Sequence, residues 1–185
     1  MTARSGVVVL VGNPRARSRT RAAAETVARR VAARLDIPDT HVTIDLADVA
    51  DEVLAPTHPR VDDALRAVAG ARLLIVATPV YKGSYTGLLK AFLDLYGPGA
   101  LHGLRTVPLV VSASPAHQSA GEAHLVPLLA ELGATVPDVA LALLEPELSD
   151  AGVHTDLWLD ELPFGEQAIV PVPTLATSSA PRRSR

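Results

Sequence analysis

The sequence predicts a three-layer α/β/α sandwich around a five-stranded parallel sheet with strand order 2-1-3-4-5. Three observations carry this. Five short strand-like segments are present, and the first, GVVVLVG, is a continuous apolar run of the kind that strands buried on both faces show. Segments of helical periodicity separate them, so the strands are joined by crossovers and run parallel. Right-handed crossovers wind such a chain doubly, and five strands suit the order 2-1-3-4-5 better than a six-stranded dinucleotide fold.

The first strand is GVVVLVG, 6–12, rich in Val and closed by Gly. A helix follows NPRARSRT, with Ala24, Val27, Ala28, Val31 and Leu35 on one face and Arg21, Glu25, Arg29 and Arg34 mainly on the other. HVTIDLA, 41–47, is the second strand, and the proline- and acid-bearing stretch 48–60 is a connection. RVDDALRAVAGA, 60–71, is a short helix with Gly70 near its C-terminus. RLLIVATP, 72–79, is the third strand, and TGLLKAFLDLYG, 86–97, is a helix closed by Gly97-Pro98. RTVPLVVSAS, 105–114, is the fourth strand, with Pro108 expected near its start. GEAHLVPLLAELGA, 121–134, is a helix that Pro127 should kink or delay. DVALALLEP, 138–146, is the fifth strand.

This division places one domain over 1–146 and an atypical C-terminal extension over 147–185. A closing helix should follow the fifth strand, yet 147–174 shows no long helical period. The final stretch, LATSSAPRRSR, is expected to be disordered. Trp158, the only tryptophan, falls in this region and is expected to dock either on its own domain or on a partner subunit.

At 185 residues and 48% hydrophobic content the chain is long and apolar enough for one real core. A net charge of −3 argues against broad affinity for nucleic acid or an anionic membrane. The absence of Cys excludes disulfides, thiolate metal sites and a cysteine nucleophile. No apolar run approaches the ~20 residues of a membrane span, and the stretch before Val7 has no room for a signal peptide, so a cytoplasmic protein is expected.

In an open parallel sheet, ligands bind beyond the carboxyl ends of the strands where the strand order reverses. Here that point lies between strands one and three, between loops 12–20 and 78–86. In the first loop, Gly12 permits a sharp turn, Ser18 and Thr20 bring hydroxyls to a helix start, and Arg15, Arg17, Arg19 and Arg21 place four cations within seven residues. Backbone N–H groups at a helix start favour an anion, so a phosphate monoester would suit the loop. Equally, one hydroxyl could merely cap the helix with the arginines solvated. In the second loop, Pro79 stiffens the strand exit and Gly83 and Gly87 permit tight turns beside Tyr81. It could lay polar backbone along the edge of a flat ring, or simply connect strand to helix. The third loop, SASPAHQSAGE, 112–122, carries His117 and could cover the same crevice or be plain surface.

Other motifs are absent. Neither GxxxxGK[ST] nor GxGxxG is present, and Asp45 stands where a ribose-binding acid would stand without that glycine pattern. The six histidines show neither HxH nor HExxH spacing, so no metal site is expected, and GxSxG is missing. Lys90 and Asp94 form an i,i+4 surface pair.

Three segments, in order, resemble the NAD(P)H-dependent FMN reductases of the flavodoxin-like fold, and in particular the flavin reductases of two-component sulfonate monooxygenase systems. VGNPRARSRT resembles that family's phosphate loop, ATPVYKGSYTGLLKAFLDL its isoalloxazine loop and following helix, and SASPAHQSAGEAHLVPLLAELGA its third loop and fourth helix. The resemblance covers roughly residues 6 to 145. It implies that Arg15, Ser18 and Thr20 hold the FMN phosphate, with Asn13 in place of the usual serine. It implies that Thr78, Pro79, Val80, Tyr81, Lys82 and Gly83 line the ring and ribityl chain, and that Ser112, Ser114 and His117 close the far side, with SAS in place of the usual glycine pair.

The resemblance further implies hydride transfer from NADPH or NADH to FMN. Reduced FMN would go to a partner monooxygenase, or electrons to a small acceptor. Helix three would lie at the interface of a homodimer or homotetramer. No side chain need transfer a proton, so no catalytic residue and no metal is expected. Two other functions remain open: a flavodoxin-type FMN-binding electron carrier, and a degenerate, non-catalytic family member.

Overall fold

In a computed structural model of the protein, described over residues 5–38 and 40–162, five parallel strands form one sheet in the order β2-β1-β3-β4-β5. The strands are β1 (Ser5–Val11), β2 (His41–Asp45), β3 (Ala71–Pro79), β4 (Arg105–Ser112) and β5 (Leu141–Leu144). The helices are α1 (Arg19–Arg34), α2 (Pro59–Ala69), α3 (Gly87–Leu93), α4 (Val126–Glu131) and α5 (Ala151–Glu161).

Strand period two divides the core. Val7, Val9 and Val11 of β1 face one layer, where they meet Ala24, Val27 and Val31 of α1 and Trp158 and Leu159 of α5. Val8 and Leu10 face the other, with Val61 and Val68 of α2, Leu89 and Phe92 of α3, and Leu129 of α4. β3, buried on both sides, supplies Leu73, Ile75 and Ala77 to the first layer and Leu74 and Val76 to the second. Each fully buried Leu or Ile of this kind contributes about 1.5–3 kcal/mol of transfer free energy.

Three details differ from the sequence expectations. First, a closing helix does follow β5: Glu145–Asp150 makes a 3-10 segment and α5 continues from it. α5 buries Ala151, Thr155, Trp158 and Leu159, an i, i+4, i+7, i+8 stripe, but one member is a threonine. Its outer face carries Val153 and Leu157, 59% and 58% exposed. A polar residue inside and apolar residues outside erased the periodicity. Trp158 docks on its own chain, and its Nε1 donates to the Val139 carbonyl at 3.3 Å. Arg30 pairs with Asp156, and Arg34 with Asp160 at 3.0 Å. The common sequence offset of 126 residues means that α1 and α5 lie side by side in register. As exposed pairs they set alignment more than stability, each contributing about 0–1 kcal/mol. The stretch 175–185, expected to be disordered, lies outside the described residues.

Second, Pro108 is the fourth of eight residues in β4, not near its start. On the β5 side, the Thr106 N–H donates to Thr135. Strand alternation points the nitrogen of residue 108 to that same side. β5 joins only at Leu141, opposite Leu109, so the missing N–H breaks no ladder bond. Third, α3 is only seven residues long, and Leu95 and Tyr96 continue it as turns. The Tyr96 hydroxyl donates to the Leu65 carbonyl at 2.9 Å, and burial pushes its ionisation well above the usual phenol range.

Pro127 acts as expected. Before it, Gly121–Leu125 is wound as a π-helix, and Val126 N–H reaches back to the Gly121 carbonyl. α4 begins only with Pro in its first turn, where a missing N–H costs nothing. Lys90 and Asp94 pair at 2.5 Å on the surface. Among the described residues, no helix is long and apolar enough to cross a membrane.

Candidate functional site

The strand register puts the three loops of interest side by side. Val11 pairs with Ala77, and Pro79 with Val111, so the chain leaves β1, β3 and β4 after Val11, Pro79 and Ser112 at the same, carboxyl end of the sheet. Backbone bonds continue beyond the strands: Gly12 N–H donates to Ala77 at 2.7 Å and Val80 N–H to Val111 at 2.8 Å.

Gly12 is required by contact. A Cβ there would lie 2.7 Å from Cβ of Leu89, so loop one can press onto α3 only without a side chain. The following loop is tied from inside. Asn13, buried, accepts from Arg15 N–H at 2.9 Å through Oδ1, and its Nδ2 donates to the Thr20 hydroxyl at 3.2 Å. Ser18 is the N-cap of α1, its hydroxyl accepting from Arg21 N–H at 3.3 Å. Thr20 is buried beneath the loop.

The four arginines separate into two classes. Arg19 pairs with Glu145 at 2.5 Å. Arg21 donates to Glu25 at 3.0 Å and approaches Asp45 to 3.7 Å. Arg15 and Arg17 are exposed, and among the described residues neither forms an ion pair. Asp45 does not stand as a ribose ligand would. It turns its carboxylate onto the loop, accepting from Arg17 N–H at 3.1 Å and from Ala47 N–H at 3.3 Å.

Glu25 anchors this end of α1. Burial disfavours its charged form, but hydrogen bonds from Arg21 and Thr43 outweigh that and hold its carboxyl below the usual range. A lowered folded pKa means that the unfolded chain binds more protons in the acid range. The resulting stabilisation is complete above the ordinary carboxylate pKa and is lost as pH falls through the lowered folded value. Glu25→Gln should therefore lower stability near neutral pH and shallow the acid limb of a Tm-against-pH curve. An unchanged acid limb would show that Glu25 takes no part.

The second loop is a miniature hairpin. Tyr81 N–H donates to Ser84 at 2.8 Å and Ser84 N–H returns to Tyr81 at 3.2 Å. Lys82 and Gly83 form its tip with φ of 55° and 79°, both positive as a two-residue type I′ turn requires. The Thr78 hydroxyl, fully buried, donates to the Pro79 carbonyl and accepts from Thr86 N–H at 3.2 Å, closing the loop's base. Pro79 is buried, Val80 and Gly83 are partly buried, and Tyr81 and Lys82 are exposed.

Thr86 is the residue that sequence reasoning missed. It caps α3 by accepting from Leu89 N–H at 3.2 Å, and its hydroxyl donates to the Gly12 carbonyl at 2.5 Å. One buried side chain thereby joins the arginine loop to the hairpin loop. The available signal was its place before a helix start, where threonine reads simply as a cap.

The third loop begins at Ser112, buried, whose hydroxyl donates to the Ser114 carbonyl at 3.1 Å. Ser114 in turn caps a 3-10 turn, Pro115–His117, by accepting from Ala116 N–H at 3.3 Å. His117 is exposed at its end. Both serine hydroxyls are engaged within the loop.

The family model described as NADPH-dependent FMN reductase matches residues 6–145. The chain is similar to an NADH-dependent FMN reductase, SfnE, of Pseudomonas putida (29% identical, covering 90% of this chain and 91% of that one). It is also similar to an FMN reductase (NADPH) of Escherichia coli (36% identical, covering 69% and 67%). Among solved structures, the apo form of the NADH:FMN oxidoreductase EMOB superposes with a TM-score of 0.68 at 30% identity, covering 88% of this chain and 92% of that one. An archaeal flavodoxin at 16% identity, TM-score 0.54, shares the fold. A flavodoxin-like sandwich with three loops gathered at the carboxyl end of the sheet and a family match across three-quarters of its length make this chain a member of the NADPH-dependent FMN reductase family.

Proposed function

We propose that this protein is a cytoplasmic NAD(P)H:FMN oxidoreductase that takes hydride from NADPH or NADH onto FMN held across the three loops. The reduced flavin would go to a partner monooxygenase, or its electrons to a small acceptor. The observation that carries this reading is the pair of exposed cations, Arg15 and Arg17, without ion-pair partners among the described residues, on a loop joined by Thr86 to the hairpin. Two unpaired cations beside a helix start suit a dianionic phosphate better than a neutral ligand.

The donor set fits FMN. Arg15 and the first-turn N–H groups of α1 would meet the phosphate, with Asn13, Ser18 and Thr20 shaping the loop beneath it. Residues 78–83 would present backbone polar groups and Tyr81 to the ring and ribityl chain. Ser112, Ser114 and His117 would bound the far side. Bound FMN supplies the hydride-accepting centre. The chain's own part is to orient the ring, exclude water from its buried face and leave the other face open to nicotinamide. The half-buried Leu88 and Ala91 of α3, with the exposed Leu95 in the turn that follows, would pair with a second copy in a homodimer or homotetramer.

Loss of the phosphate contact should be measurable. Arg15→Ala is expected to weaken FMN about 10- to 100-fold, the equivalent of one or two charge-assisted hydrogen bonds. Equilibrium titration of both proteins by flavin fluorescence reads this directly. Equal affinity for FMN in the two proteins would remove Arg15 from the site.

A further inference from the structure

We propose that Asp45 is a positioning residue for the phosphate loop, holding its tip in the conformation that binds FMN. The inference rests on the reading of that loop as the FMN phosphate site.

Asp45 ends β2, next to β1, and its side chain is almost fully buried (1% exposed). A buried carboxylate is costly unless its oxygens are satisfied. Here Oδ2 accepts from Arg17 N–H at 3.1 Å and Oδ1 from Ala47 N–H at 3.3 Å, while the Arg21 guanidinium stands 3.7 Å away. Arg17 is one of three described non-glycine residues with positive φ, at 53°. A side-chain-bearing residue enters that region at a cost of about 1–2 kcal/mol and stays there only if something fixes it. The hydrogen bond from its own N–H to Asp45 is that fixture. Asp45 thus holds in place a turn that Asn13 organises from the other side.

The placement has a sign that separates this role from plain electrostatics. A carboxylate near an anion site repels the anion. By charge alone, removing it should tighten FMN. If Asp45 acts by positioning Arg17 and the turn, removing it should weaken FMN in spite of the lost repulsion. Arg21, held between Asp45 and Glu25, offsets the charge in the intact protein.

The test is titration of the full chain, wild type, Asp45→Asn and Asp45→Ala, with FMN and with riboflavin, which lacks the phosphate. Asp45→Ala should lose about tenfold or more in FMN affinity with riboflavin affinity unchanged, so the FMN-to-riboflavin ratio falls. Asp45→Asn keeps one acceptor oxygen and the same shape, and should fall between. If Asp45→Ala does not fold, the Asp45→Asn ratio decides alone. An unchanged or raised ratio in a folded variant overturns the proposal. Loss of both ligands in parallel also overturns it, because that is the signature of general structural damage. Wild-type protein that shows no preference for FMN over riboflavin sinks the underlying phosphate-site reading instead, and so is distinguishable.

Discussion

Trp158→Ala should destabilise the protein by about 3–5 kcal/mol, which for a chain of this length lowers Tm by roughly 10–15 °C. Trp158 is 7% exposed and sits in the layer formed by β1, β3 and α1. Truncation removes its transfer free energy, opens a cavity that rigid strands cannot collapse into, and leaves the Val139 carbonyl without the indole donor. The control is its neighbour: Leu157, 58% exposed, should tolerate Ala within about 0.5 kcal/mol. Denaturant unfolding of the two variants checks the pair. Equal, small losses at both positions would mean that α5 does not close the sandwich.

Thr86→Val keeps the shape of residue 86 and removes one oxygen, with an expected cost of about 2–4 kcal/mol. Two losses combine. The α3 cap to Leu89 N–H disappears, about 0.5–2 kcal/mol. The carbonyl of Gly12, itself a buried residue, is left without the donor that reaches it, about 1–3 kcal/mol. The consequence reaches the site, because the same hydroxyl is what joins the arginine loop to the hairpin. FMN affinity should fall by more than tenfold, and Thr86→Ser, which retains the oxygen, should restore most of it. A Thr86→Val protein with full stability and affinity would show that the two loops are held by other means.

Much of this arrangement was legible in the sequence because its signals were local. β1 and β3 announced themselves as apolar runs, β2 as a short alternating segment between helices, and the strand order followed from count and connection. The arginine loop, the hairpin loop and the serine loop were identified from glycines, prolines and hydroxyls at strand ends, and they do leave neighbouring strands at the carboxyl end of the sheet. What stayed hidden was whatever depended on a distant partner. α5 was invisible because Thr155 is buried while Val153 and Leu157 are exposed, a pattern that only packing on α1 explains. Pro108 was expected near a strand start, since nothing local reveals that β5 joins the sheet one residue later. Thr86 drew no role from the sequence, because its bond to Gly12 crosses 74 residues. The sequence placed four arginines in this loop and could not show which of them are committed to ion pairs. Glu25 and Glu145, one of them far away in sequence, decide which two are committed to ion pairs.

If these loops make a flavin reductase, the protein should oxidise nicotinamide catalytically. Purified full-length protein is mixed with NADPH or NADH, with and without added FMN, and loss of absorbance in the nicotinamide band is followed. A flavin reductase should show oxidation that depends on FMN, saturates with it, and is weakened at limiting FMN by Arg15→Ala. No oxidation of either nicotinamide in the presence of FMN would contradict it.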